Sequence, residues 1–460
     1  MIFISVLTLV LLVLSVSPFV RLESASSGWR TPARAEPDPE PYVCPVDGKP
    51  VTNADQSLLG VPLNQYAAPL GGEGNFNDAT RTVVEKLAEA NVHYVRRGLH
   101  WHVLEPQPLP TYCHISDRYC WEIYDQMITD LKNLGFEPVI TLGGVPEWAS
   151  TAPDVDNDGN GRRDDYAAYP PVDIEDWENF VRAVVKRYGH GPNGRRQVRN
   201  WEIWNEPDID QFFKGTADDY LELLNTSYDV IKEVDLEAKV WGPTTIYFLD
   251  RLDDWMAPRE KYPFTQMVIE NGQIDVFSVH VYANIEESYN QIKELRGILD
   301  STPNKNGIPI AITETNVVIN DLCYDDISEE EQARMLTERY YCLANAGAKS
   351  VFWWQPADSE TCTDTPDDNK RWCCFDGVRK NGLFRTDLSL KPAYYALKEI
   401  GAYLNPLLPG DANGDGVVGG TDLELLKGDY LGTPEHNTDF NSDGRVDSED
   451  FAILQANYSQ

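Results

Sequence analysis

From about residue 55 to 404, short apolar and β-branched runs alternate with stretches whose apolar positions recur every three or four residues. The runs predict strands at Leu59–Asn64, His93–Gly98, Glu137–Leu142, Val198–Trp204, Ala238–Gly242, Val276–Tyr282, Ile308–Thr313 and Ser350–Trp354. Helical periodicity fills the intervals at Ala79–Ala90, Glu122–Leu134, Ile174–Arg187, Ala217–Val234, Tyr289–Leu299 and Glu329–Ala344. Strands that are each followed by a helix or a long loop predict an α/β chain closed as a (β/α)8 barrel. Functional groups in such a barrel stand at the C-terminal ends of the strands.

The two ends of the chain break this rhythm. Ile2 to Val20 is almost wholly apolar and is followed by small and polar residues, so residues 1–25 read as a secretory signal segment. No basic residue precedes the run and Arg21 follows it; the run is also long enough for an uncleaved anchor, which is the alternative. Residues 26–54 form a Pro-rich linker. Beyond 404, the pattern Asp411-Ala-Asn413-Gly-Asp415-Gly416 recurs 28 residues later as Asp439-Phe-Asn441-Ser-Asp443-Gly444. That duplication sets 405–460 apart as a small separate domain.

Composition narrows the function. With 42 % hydrophobic and 11 % aromatic residues, the 460-residue chain can bury a large core. Its 39 basic and 74 acidic side chains give −35, which excludes binding to nucleic-acid phosphates and to anionic membrane surfaces. Eight cysteines suit an oxidising compartment. Cys113 and Cys120 can close a small loop, Cys362, Cys373 and Cys374 sit in an Asp-rich stretch, and Cys44, Cys323 and Cys342 are left unplaced. A zinc site is the rival reading, but no C-x-x-C pair and no nearby histidine support it, so disulfides are preferred.

Two carboxylates stand where chemistry is expected. Glu206, in Trp201-Glu-Ile-Trp-Asn205-Glu206-Pro207, follows the fourth strand; Glu314, in Ala311-Ile-Thr-Glu314-Thr315, follows the seventh. Cleaving a glycosidic bond with retention needs an acid for the leaving oxygen and a carboxylate nucleophile on the opposite side, about 5–5.5 Å apart. In this order along a barrel the two resemble glycoside hydrolase clan A over nearly all of 55–404. That resemblance implies Glu206 as acid/base, Glu314 as nucleophile and Asn205 as partner of the sugar 2-hydroxyl. It also implies that Arg96 of the second strand (with Arg97 as a rival) keeps the nucleophile ionised, and that His280 and Tyr282 of the sixth strand face the site, with the tyrosine donating to the nucleophile. Trp354 is the expected sugar platform after the eighth strand, chosen over Trp353 by alternation. Trp101 and Trp148 are further candidates to line the cleft, whereas Trp201 reads as core. Spacing and the tail Lys391-Pro-Ala-Tyr-Tyr-Ala-Leu look most similar to family 39, then family 5. Together these imply a secreted retaining hydrolase of β-linked polysaccharides or oligosaccharides. A barrel that binds carbohydrate without cleaving it is the alternative, and the intact Glu206 and Glu314 argue against it.

The C-terminal repeat places oxygen ligands as a calcium loop does, at positions 1, 3, 5, 7 and 12: Asp411, Asn413, Asp415, Val417 and Asp422, then Asp439, Asn441, Asp443, Arg445 and Asp450. Val417 and Arg445 would contribute backbone carbonyls, and Gly416 and Gly444 permit the sharp turn. The pair resembles a type I dockerin, which implies Ca2+ in each repeat and docking to a cohesin module. Positions 10 and 11 differ between repeats (Gly420-Thr421 and Ser448-Glu449), which argues against a symmetric two-way binding mode. A third run of the same kind, Asp154, Asp156, Asp158, Asn160 and Asp165, follows the third strand and is a further expected Ca2+ site. The 11 acidic and 2 basic side chains of 409–460 concentrate part of the negative charge where calcium would neutralise it.

Overall fold

The computed structural model describes residues 56–63, 77–109, 118–156, 161–191, 197–246, 262–316, 327–358, 380–404, 410–412, 418–430, 438–440 and 445–458. Chain contacts separate Met1–Val43 from Cys44–Gln460, and the signal and linker expectations lie outside the described residues. Eight parallel strands close into a barrel in sequence order: β1 (Leu59–Pro62), β2 (Tyr94–His100), β3 (Glu137–Gly143), β4 (Asn200–Ile203), β5 (Lys239–Thr245), β6 (Val276–Val281), β7 (Ile310–Thr315) and β8 (Ala348–Trp353). Closure is direct, with Leu59 opposite Val351 and Gly60 opposite Phe352. The connecting helices are α1 (Asp78–Glu89), the short α2 (Trp101–Leu104), α3 (Glu122–Asn133), α4 (Ile174–Tyr188), α5 (Ala217–Val234), α6 (Tyr262–Asn271), α7 (Ile285–Ser301), α8 (Glu329–Ala346) and α9 (Pro392–Leu404). Two more helices, α10 (Gly420–Asp429) and α11 (Ser448–Asn457), belong to the C-terminal repeat.

Local chemistry sets where the helices begin. Asn77, Asp173, Asn284 and Ser328 each accept a backbone N–H of the first turn that follows. Thr216 and Asp219 cap α5 reciprocally. Two cores result. A large one fills the space between strands and helices. A smaller one gathers Tyr94, Val139, Trp241, Val276, Ala311 and Phe352, from six different strands, across the barrel interior. This apolar plug forms the floor on which the polar residues rest. Cys120 and Cys342 each take part in a disulfide; Cys44, Cys113, Cys323, Cys362, Cys373 and Cys374 lie outside the described residues.

Gly60 is required by close approach. A Cβ there would lie 2.5 Å from the Phe352 ring that plugs the barrel. Gly60→Ala is expected to cost about 1–3 kcal/mol by overpacking. A denaturant midpoint that falls, and recovers in the Gly60→Ala/Phe352→Leu double variant, would show it; an unchanged midpoint would refute it.

Candidate active site

Side chains from β4 and β7 converge on one buried cation of β2. Arg96 of β2 donates from Nε to Glu202 Oε2 of β4 at 2.5 Å, from Nη1 to Glu314 Oε1 of β7 at 2.7 Å, and from Nη2 to Asn205 Oδ1 at 2.7 Å. The Thr141 hydroxyl of β3 adds a bond to Glu202 Oε2 at 2.7 Å. Arg97, the rival, points away from this group and donates to the Leu63 carbonyl. Burial works against the Arg96 charge, but Glu202 and Glu314 outweigh it, so its pKa rises above the ordinary arginine value.

Glu314 takes a second donor from the opposite side: Tyr282 Oη donates to its Oε2 at 2.6 Å. Two donors on one carboxylate favour its anionic form. The tyrosine is held neutral, since burial and then the Glu314 charge push its pKa well above the usual value. Glu206 Oε1 lies 2.6 Å from His280 Nδ1, and that nitrogen is 3.6 Å from Glu314 Oε2. Burial opposes the imidazolium, yet the charges of Glu314 and Glu206 prevail and raise the His280 pKa. Glu206, His280 and Glu314 each present a ligand atom within 4.8 Å of the others, the one such cluster found among the described residues.

Backbone irregularities aim these groups. Trp204 and Glu206, on either side of Asn205, both have positive φ (68° and 45°). Residues held this way cost of order 1–3 kcal/mol each and concentrate at functional sites. Between β6 and β7 the register slips: Val279 faces Ile312 but His280 faces Glu314, which leaves Thr313 as an extra residue. That bulge brings Glu314 to the same side as His280. After β8, the Trp354 ring stands perpendicular to Tyr282 at 6.2 Å, while Trp353 is buried and donates its indole N–H to the Asn381 carbonyl.

Several expected site residues lie elsewhere. Trp101 is 0 % exposed, stacks on Phe180 of α4 at 5.3 Å and donates its indole N–H to Glu105. It packs the barrel's outer layer and does not line the cleft. Trp148 meets Trp101 edge-on at 5.6 Å and donates to the Glu105 carbonyl, so it belongs to the same aromatic group. In the loop after β3, Asp165 pairs with Lys214 at 3.2 Å, and Asp156 accepts the Gly161 N–H at 2.9 Å. The loop is tied by Arg163, which donates to the carbonyls of Ser150, Ala152 and Glu147. Asp154, Asp156 and Asp165 form no carboxylate cluster among the described residues, and Asp158 and Asn160 lie outside them.

In the C-terminal repeat, Asp411, Asp422 and Asp450 are buried, Asp439 is half-buried and Arg445 is exposed. Asn413, Asp415, Val417, Asn441 and Asp443 lie outside the described residues. Buried carboxylates at positions 1 and 12 of the first repeat and 12 of the second are of the kind that a hard cation takes. Residues missed by the sequence reading are Glu202, together with His100 and His102, whose rings meet edge to face at 5.5 Å at the end of β2. Glu202 did leave a signal, since a charged residue within a strand buried on both faces must be paired.

A barrel with these paired strand-end carboxylates is similar to those of clan A glycoside hydrolases. Residues 87–309 match Glycosyl hydrolases family 39, and residues 409–457 match the Dockerin type I domain. A β-xylosidase of Caldicellulosiruptor saccharolyticus is 31 % identical over 166 residues, which is 34 % of this chain and 30 % of that protein. Among solved structures, a family 39 β-xylosidase from Caulobacter crescentus aligns over 77 % of this chain and 72 % of its own, at 18 % identity and a TM-score of 0.56. A family 39 glycoside hydrolase from Bacteroides cellulosilyticus aligns over 78 % and 64 %, at 20 % identity and 0.53. At these identities the structural likeness speaks for the fold.

Arg96→Met is expected to destabilise the barrel by about 3–5 kcal/mol, because it strands Glu202 and Glu314 as buried carboxylates. Denaturant unfolding of the purified variant checks this, and a loss below about 1 kcal/mol would contradict the role given to Arg96.

Proposed function

We propose that the chain is a secreted retaining β-glycoside hydrolase, with Glu314 as nucleophile and Glu206 as acid/base, and that its dockerin tethers it to a cohesin-bearing scaffold. One observation carries the catalytic reading: oxygens of the two carboxylates approach within 4.8 Å. Retaining pairs stand about 5–5.5 Å apart, and inverting pairs about 6.5–9.5 Å. A water cannot be held between groups this close, so the second carboxylate must itself attack.

In the first step a Glu314 oxygen bonds to the anomeric carbon while the glycosidic C–O bond breaks, and Glu206 gives its proton to the leaving oxygen. In the second, Glu206 takes a proton from water, the water oxygen bonds to the anomeric carbon and the ester to Glu314 breaks. Arg96 and Tyr282 hold Glu314 fixed and anionic for the first attack. Arg96 also occupies the Asn205 amide oxygen, which leaves the amide NH2 to meet a sugar hydroxyl. Trp354 offers a ring face beside Tyr282 for the sugar's apolar side. No cofactor takes part in these steps. The names of the relatives make β-xylosides and xylo-oligosaccharides the first substrates to try.

Glu314→Ala and Glu206→Ala are each expected to lower kcat/KM on an activated aryl β-xyloside by at least about 10⁴-fold while circular dichroism stays native. NMR of the first-formed sugar should show the β anomer. Release of the α anomer, or an active Glu314→Ala, would overturn the assignment. For the dockerin, calcium titration of the full chain should give one ion per repeat, with Asp450→Ala losing one; no calcium-dependent heat would count against it.

A further inference from the structure

Glu206 stands on a turn that is anchored by a buried acid with no part in the proposed hydrolysis. The Ile209 N–H donates to the Glu206 carbonyl at 3.0 Å, which closes a β-turn over Glu206-Pro207-Asp208-Ile209. Proline in the second place of this turn has a fixed φ, so a constraint on Asp208 reaches Glu206 through a stiff link. Asp208 carries such a constraint. It is 0 % exposed, and its two carboxylate oxygens accept the Ile246 N–H, at 3.1 and 3.3 Å.

The segment that Asp208 grips is as irregular as the turn itself. Between β5 and β6, Pro243 faces Ser278 but Thr245 faces Val279, which leaves Thr244 as an extra residue with a φ of 60°. Ile246 follows directly after β5. Closer to the strands, the buried Tyr220 hydroxyl of α5 shares its hydrogen between the Ile203 carbonyl of β4 at 2.9 Å and the Pro243 carbonyl of β5 at 3.3 Å. Burial, and then the charges of Glu202 and Asp208, push the Tyr220 pKa well above the usual value, so it remains a donor. The ends of β4 and β5 are therefore tied twice, by Tyr220 and, further along both chains, by Asp208.

Trp204 and Glu206 are held at positive φ, and residues in that state persist only where the surrounding structure over-determines them. Removing the Asp208 carboxylate takes away the turn's anchor on the end of β5 and leaves the strain free to relax.

We propose that Asp208 is a positioning residue for the acid step, holding the turn so that the Glu206 carboxyl meets the leaving oxygen. The inference rests on the acid/base reading of Glu206 and extends it to a second residue. A misplaced acid is felt most by substrates whose leaving oxygen is most basic, because those need the proton most. Loosening of the barrel slows good and poor leaving groups alike. The test measures kcat/KM of the full chain on phenyl and nitrophenyl β-xylosides. Asp208→Ala is expected to lower the phenyl value by about 10²-fold, and at least about fivefold more than the nitrophenyl value. Should that variant fail to fold, Asp208→Asn, with one amide oxygen in place of two carboxylate oxygens, is expected to shift the ratio the same way by about threefold. Equal losses on the two substrates, or a ratio that Gly60→Ala moves as far, overturn the inference and leave Glu206 as the acid. An active Glu206→Ala overturns the acid/base reading, and this inference with it.

Discussion

The guanidinium of Arg96 is the group on which the site depends. It is buried beneath the cleft and satisfies Glu202, Asn205 and Glu314 with three different nitrogens. A rigid fork of donors can do this; the single ammonium of a lysine could not reach three acceptors in fixed directions. Its charge matters as much as its shape. Glu202, Glu206 and Glu314 are three carboxylates around one permanent cation in an interior where charges are poorly screened. Burial opposes a charge on His280, but the neighbouring Glu314 and Glu206 outweigh it, which is why His280 is held more basic than usual. The chemistry proposed for Glu206, giving a proton and later taking one, is motion of a charge that the cluster must carry somewhere.

The barrel supplies a level floor for this charge. Below, Tyr94, Val139, Trp241, Val276, Ala311 and Phe352 fill the interior with apolar volume. Above, β2, β3 and β6 change to Arg96, Thr141 and Ser278, and β4 adds Glu202. Two residues of strand separate one layer from the next, so the switch from apolar to polar happens within a single repeat of the pleat. The bulge at Thr313 then lets β7 present Glu314 on the side of His280, where strict alternation would have turned it away.

How much of this could be read from the sequence follows from the same physics. The closed barrel was legible because its strands are continuous apolar runs separated by amphipathic helices, and that periodicity survives without any knowledge of contacts. Glu206, Glu314, Asn205, His280, Tyr282 and Arg96 were legible because each sits at or near a strand end, and the structure gathers all six. The seventh strand was expected to end at Thr313, one turn of the pleat too early, because a bulge leaves no mark on hydrophobic alternation. Trp101 misled for another reason. An indole after a strand end suits a sugar platform and an outer core equally, and only the Phe180 and Trp177 rings of α4 decide between them. The loop after β3 carries acids at calcium-loop spacing; of these Asp165 pairs with Lys214, while Arg163 ties the loop through the carbonyls of Ser150 and Ala152.

The C-terminal repeat shows how a small substitution in a ligand pattern can have a structural cause. Position 12 of each loop is Asp where the longer Glu is usual. In the first repeat, Asp422 accepts the backbone N–H groups of Ala412 at 2.8 Å and Gly419 at 2.7 Å. In the second, Asp450 accepts those of Phe440 at 2.6 Å and Asp447 at 2.9 Å, each donor again 28 residues along. The same carboxylate therefore caps the helix that begins there and ties it to the start of its own loop. Asp411, at the start of the first loop, is buried as well. The duplicated bonds, more than the total of −35, are what the two halves of this repeat share in structure.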